Sequence, residues 1–134
     1  MCIVHTVPGS ALWLLADNDP ARDNLLLQAD AHGLARERLI FAPRVSPVEY
    51  LASFALADLV LDTVPFNAGT TASDACWVGT PMVKRAGRTY ISRMAGSLLT
   101  AVGLPDPVTD TLAGYEQLAI TLGRTPARVA SYKR

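Results

Sequence analysis

The sequence predicts an α/β fold, a three-layer Rossmann-like parallel sheet. Short apolar runs alternate with longer stretches of helical periodicity, and the runs recur roughly every 20 to 27 residues with one helix between each. The runs are continuous rather than alternating, as strands covered on both faces read. With 134 residues the chain has the length of one domain, and 1–134 is read as a single Rossmann-like domain.

The first run is Ala11-Leu12-Trp13-Leu14-Leu15-Ala16, ended by Asp17-Asn18-Asp19-Pro20. Ala21 to His32 follows with Leu25, Leu26 and Ala29 at helical spacing, and Gly33 fits the position just past a helix end. Leu39-Ile40-Phe41-Ala42 is the second run, closed by Pro43. Ser46 then reads as an N-cap, with Pro47 at the first helical position and Glu49 at the third. The third strand is expected at Leu59-Val60-Leu61-Asp62-Thr63, followed by a loop and a helix from Thr70 or Thr71 to Trp77. Gly79-Thr80 breaks that helix before a fourth strand, Pro81-Met82-Val83-Lys84. A helix over Ile91–Val102, a short strand at Pro107-Val108-Thr109, a helix over Gly114–Leu122 and a last turn from Thr125-Pro126 complete the chain.

Composition narrows the function classes. Twelve Lys+Arg balance 12 Asp+Glu, so the formal net charge is zero. The pI near 6.7 gives no electrostatic footprint for nucleic acid or an anionic membrane. Any anionic ligand must be held by local geometry. A hydrophobic content of 50% and a mean hydropathy of +0.23 exclude disorder. Two cysteines without C-x-x-C spacing and two histidines, His5 and His32, form no structural zinc pattern, and no metal site is expected. Without a signal peptide or an apolar run long enough to span a bilayer, the expected compartment is the cytoplasm.

In an open parallel sheet, ligands bind beyond the carboxyl ends of the strands. The loop after the third strand leads through Asn67-Ala68-Gly69 into Thr70-Thr71-Ala72-Ser73-Asp74. Small residues at 68, 69 and 72 allow close backbone approach. Hydroxyls beside the free N–H groups of a helix start make a phosphate site, and Asp74 can accept two hydrogen bonds from ribose hydroxyls. The same residues can equally serve only to cap the helix and complement its dipole. Lys84, Arg85 and Arg88 stand as cationic partners for a pyrophosphate or as a solvated loop, and Arg93 as a cleft residue or half of a surface ion pair. Cys76, Trp13 and Trp77 read as core, His5 and His32 as exposed, and Asp62 as the residue that fixes the following turn.

The string from Leu61 to Val83, with Asn67-Ala68-Gly69-Thr70-Thr71-Ala72-Ser73-Asp74 at its centre, resembles the signature of the O-GlcNAc transferase family. Val7-Pro8-Gly9-Ser10-Ala11-Leu12-Trp13-Leu14-Leu15 and Arg38-Leu39-Ile40-Phe41-Ala42-Pro43-Arg44-Val45 resemble it in the same order, as does the stretch from Pro81 to Leu99. The style is that of the bacterial members, in which tetratricopeptide repeats precede this region. The resemblance implies a GT-B glycosyltransferase whose C-terminal, donor-binding half corresponds to this chain. The family transfers N-acetylglucosamine from UDP-GlcNAc to protein Ser or Thr hydroxyls, with no cofactor and no metal. By position, the Gly69-Thr70-Thr71 turn would contact the pyrophosphate and Asp74 the ribose. Arg44-Val45 would meet the uracil through its backbone, and Tyr50 takes the place of a histidine that stacks near the nucleotide.

Three departures accompany the resemblance. Gly69 stands where the family has a histidine beside the donor phosphates, and Tyr50 replaces another. The family's preceding strand, its pyrophosphate-gripping lysine, the N-terminal catalytic domain with the expected general base, and the repeats that bind protein acceptors all lie outside these 134 residues. The chain is therefore expected to be a UDP-sugar-binding fragment that does not turn over alone and that self-associates through an exposed edge or apolar patch. A non-catalytic nucleotide-binding or interaction module that kept the fold is the alternative, and another GT-B enzyme using a different nucleotide sugar is a third.

Overall fold

Apolar runs become parallel strands here, and the periodic stretches between them become helices. The computed structural model describes residues 1–15, 18–104 and 107–133. It divides into two compact units, Met1–Ser46 and Pro47–Arg134.

The first unit holds α1 (Cys2–Thr6), β1 (Leu12–Leu15), α2 (Asp19–Ala31) and β2 (Leu39–Ala42), with a 3-10 turn at Arg36–Arg38. Helix α1 precedes the first run that the sequence predicts, and the end of that run, Ala16-Asp17, lies outside the described residues. Asn18 caps α2 by accepting the Ala21 N–H at 2.9 Å. Strands β1 and β2 pair in parallel, Leu12 opposite Leu39 and Leu15 opposite Ala42. Leu12 and Leu14 face a core of Val4, Ala29, Leu34 and Leu39. Side chains alternate along a strand, so Trp13 and Leu15 point the other way and are 41% and 55% exposed. Trp13, read as core from the sequence, is thus exposed rather than packed into the core of this unit.

Arg38 ties this unit together. Its guanidinium donates to the Ser10 carbonyl at 2.7 Å, to the Val4 and Val7 carbonyls at 2.6 and 2.7 Å, and to Ser10 Oγ at 2.9 Å. The planar fork thereby satisfies carbonyls at the end of α1 that have no helical partner.

The second unit holds α3 (Pro47–Phe54), β3 (Val60–Leu61), α4 (Thr70–Val78), β4 (Met82–Arg85), a 3-10 turn at Ile91–Arg93, α5 (Met94–Ala101), β5 (Val108–Thr109), α6 (Leu112–Arg124) and α7 (Pro126–Tyr132). Its strands run in the order β3-β4-β5, all parallel, with Val60 opposite Met82 and Lys84 opposite Val108. Gly79 ends α4 with φ +80, a left-handed conformation that a Cβ would penalise. Met82, Val83 and Lys84 are 1%, 0% and 0% exposed, so β4 is buried on both faces. Met82 packs with Phe54, Ala72, Ala75, Ala95 and Leu99. Among the described residues no helix is long and apolar enough to cross a membrane.

Replacing Arg38 with Met keeps the stem and removes the guanidinium donors from three carbonyls, of which those of Val4 and Val7 also accept from Ser10. The expected loss is about 2 kcal/mol, read from urea unfolding on a Trp77→Phe background where Trp13 reports on the first unit. An unchanged midpoint would mean that water satisfies those carbonyls equally well.

Candidate functional site

The site begins where β3 stops. Two residues past its last apolar side chain the chain turns, and Asp62 fixes the turn as its sequence position suggested. It is 3% exposed, and its Oδ1 accepts the Ala68 N–H at 2.7 Å while Oδ2 has no partner. Thr63 Oγ1 donates to the Phe66 carbonyl within the same loop. The Tyr115 hydroxyl donates to the Asp62 carbonyl at 3.0 Å. Burial raises the Asp62 pKa, opposed by the N–H groups of Ala68 and Thr63 and by the Lys84 charge. Burial, with the Asp62 charge second, pushes Tyr115 up to about 12.

The loop delivers Gly69 as the N-cap of α4, and among the described residues no side chain caps the helix. The reading in which a hydroxyl merely caps this end is thereby excluded, and the first-turn N–H groups keep their donors. Ala72 and Ala75 are both 0% exposed and form the inward face of α4. Thr70, Thr71 and Asp74 stand three and four residues apart and share the outward face. Asp74 lies a full turn in from the helix start rather than in its first turn. Trp77 falls on the outward side as well, seven residues after Thr70, and is 87% exposed instead of core. Cys76 is half-buried against the apolar cluster, where burial raises its thiol pKa, as a packing residue would be.

The other expected site residues sit elsewhere. Arg44 and Val45 belong to the first unit, in the exposed segment after β2. Tyr50 is on α3, its ring edge-on to Phe54 with centroids 5.2 Å apart. Arg85, Arg88 and Arg93 line a cleft with Gly87 and Asp110. Lys84 does not join them. It lies within β4 rather than in a solvated loop, and its ammonium donates to Asn67 Oδ1 at 2.9 Å and to the Ser92 carbonyl at 3.0 Å. Asn67, itself 0% exposed, donates onward to the Thr63 carbonyl at 2.8 Å. Burial lowers the Lys84 pKa, and the Asp62 charge opposes that. Reading the sequence for ligand contacts missed the pairing of Lys84 with Asn67. Its signal was a lysine inside an apolar run that becomes a strand covered on both faces, where a charge must find buried partners. Among the described residues, no three His, Cys, Asp or Glu side chains gather as metal ligands.

Parallel strands joined by helices, with an uncapped helix start beyond the carboxyl end of a strand, define a Rossmann-like α/β protein. The chain matches the model of glycosyl transferase family 41 over residues 1–134, and it belongs to that family. It is 34% identical over 131 residues to a UDP-N-acetylglucosamine--peptide N-acetylglucosaminyltransferase of Caenorhabditis elegans, covering 98% of this chain and 11% of that protein. A probable transferase of the same description, SEC of Arabidopsis thaliana, is 35% identical over 121 residues, or 90% of this chain and 12% of the relative. A solved structure of a Thermobaculum terrenum O-GlcNAc transferase mutant superposes with a TM-score of 0.89 at 31% identity, over 98% of this chain and 26% of that one. The expected GT-B-type α/β architecture therefore holds along the chain, which spans about a tenth of the curated relatives and a quarter of the solved one.

Two outcomes test this geometry. A Cβ at Gly69 would stand 3.2 Å from Met94 Sδ and 3.4 Å from its Cε. Gly69→Ala alone is expected to lose up to about 1 kcal/mol, and in a Met94→Ala background the loss should vanish in a double-mutant cycle of thermal melts. Additive losses would show that the two positions do not share space.

The second concerns pH. Because the Asp62 pKa is raised from 3.8, the folded chain holds that proton more tightly than the unfolded chain does. Ionising Asp62 therefore costs stability as pH rises through that range and above it. Asp62→Asn keeps an oxygen for the Ala68 N–H and removes the cost. It should melt at or above the parent temperature near neutral pH, with the gap closing on acidification toward 3.8 and below. Melting below the parent near neutral pH would mean that the attraction to Lys84 outweighs desolvation.

Proposed function

We propose that this chain is the donor-nucleotide part of a UDP-GlcNAc-dependent protein O-glycosyltransferase, acting in the cytoplasm. What carries the reading is the start of α4: uncapped N–H groups with Thr70, Thr71 and Asp74 on one outward face, in a chain of glycosyl transferase family 41. The N–H groups of Gly69-Thr70-Thr71 and the two hydroxyls take the diphosphate, and the Asp74 carboxylate takes the ribose hydroxyls. Tyr50 offers a half-exposed ring for stacking near the nucleotide. When a Ser or Thr hydroxyl of the protein acceptor attacks the anomeric carbon, UDP departs and its growing charge falls on this helix end. The proposal asks no metal of this chain. The general base and the acceptor site belong to other parts of the whole protein, so the chain alone binds UDP without transferring sugar.

A second reading has its own observation. Met94 fills the space beside Gly69 where a side chain would project. A module that keeps nucleotide affinity after losing a group at this position fits that packing.

Calorimetric titration of the chain with UDP, with UMP and ADP as controls, tests the site. UDP should bind over ADP, and Asp74→Ala and Thr71→Ala should each weaken it about tenfold, the cost of one hydrogen bond to a charged or multiply bonded group. Equal affinity for UDP and ADP, or no effect of either substitution, would overturn the assignment. Transfer from UDP-GlcNAc by the whole protein separates the two readings.

A further inference from the structure

Lys84 is a charged side chain at a position that a methionine of similar length would fill without desolvating a charge. What the lysine adds is direction. Its ammonium reaches Asn67, in the loop that follows β3, and the carbonyl of Ser92, in the loop that follows β4. Both loops lie at carboxyl ends of neighbouring parallel strands, the edge at which such sheets hold ligands.

Each contact is itself anchored. Asn67 is tied back to the Thr63 carbonyl at 2.8 Å, and the next residue, Ala68, is held by the Asp62 carboxylate at 2.7 Å. The residue after that is Gly69, where α4 begins. On the other side, the Ser92 carbonyl also accepts the Gly87 N–H at 3.0 Å, and Ser92 Oγ accepts the Thr89 N–H at 3.0 Å. Room for the ammonium depends on Gly96, because a Cβ there would stand 2.9 Å from Nζ. Lys84 is 0% exposed, so it touches no ligand directly.

We propose that Lys84 is the positioning residue of the anion site: one buried ammonium sets the 63–69 loop, and with it the Gly69-Thr70-Thr71 turn, against the 86–93 loop that bears Arg88 and Arg93. The inference rests on the donor-site reading above for the identity of the anion, a nucleoside diphosphate. The ordering of the two loops by Lys84 stands apart from that identity.

The test compares the full chain with Lys84→Met, using UDP and uridine as probes and amide hydrogen exchange as a second readout. The variant is expected to bind UDP at least tenfold more weakly and uridine equally well, since only the diphosphate depends on the turn. Amides of residues 68–71 and 87–92 should exchange faster, while those of β4 and α6 keep their protection. A folded variant with unchanged UDP affinity overturns the proposal, as does equal weakening for both probes or loosening of the whole unit together. If the parent chain binds no UDP, the donor reading fails, and exchange at the two loops still decides the role of Lys84. Should Lys84→Met not fold, Asn67→Ala replaces it: this change frees the loop from the lysine, removes the Asn67–Thr63 bond with it, and leaves the bond to Ser92. Unchanged exchange at 68–71 in that variant overturns the proposal equally.

Discussion

Strand β4 is buried on both faces, and the second unit is organised by that constraint. A central parallel strand meets helices above and below, so each of its side chains must fit an apolar neighbour or bring its own partners. Met82 and Val83 take the first course, at 1% and 0% exposed. Lys84 takes the second. A buried ammonium must be solvated by fixed dipoles, and the dipoles available at the carboxyl end of β4 are those of the flanking loops. One strand, β4, consequently orders both the loop that follows it and the loop that follows β3. Asp62, nearly as buried at the equivalent end of β3, does the same with the Ala68 N–H. A pair of buried opposite charges at adjacent strand ends fixes the backbone that leads into α4.

Much of this was legible in the sequence. Leu39–Ala42 forms a strand over its full predicted extent, because a four-residue apolar run between a turn and a proline has few alternatives. The helix beginning at Pro47 and the one ending before Gly79 follow from residues whose backbone preferences are local. Failures arose where exposure depends on what covers a face. Trp13 sits in the expected strand yet points outward, since periodicity gives the alternation of a strand and not which of its faces is covered. Trp77 sits in the expected helix, but small Ala72 and Ala75 take the inward face. Bulk is a poor guide to orientation where a helix must approach a sheet closely.

The candidate site divides along the same line. Gly69, Thr70, Thr71 and Asp74 are contiguous in sequence, so one helix start brings them together and a short string suffices to find them. Lys84 and Asn67 are 17 residues apart and meet only because β3 and β4 are neighbours. No local pattern encodes that pairing. What sequence does encode is the anomaly of a lysine in a strand-forming apolar run. The correct inference from it is a buried partner, not a solvated loop.

A chain with 12 basic and 12 acidic residues has no overall field with which to attract a diphosphate. Affinity for an anion must then come from charges and dipoles already aimed, whose reorganisation was completed during folding. On the proposed reading, the uncapped start of α4 offers oriented N–H groups, and Arg85, Arg88 and Arg93 line a cleft beside the 86–93 loop. Lys84 bonds to both loops, the contact on which the proposed positioning role rests. Neutral composition is therefore compatible with the proposed anion site, because what matters there is where the few buried charges are fixed, not how many the surface carries.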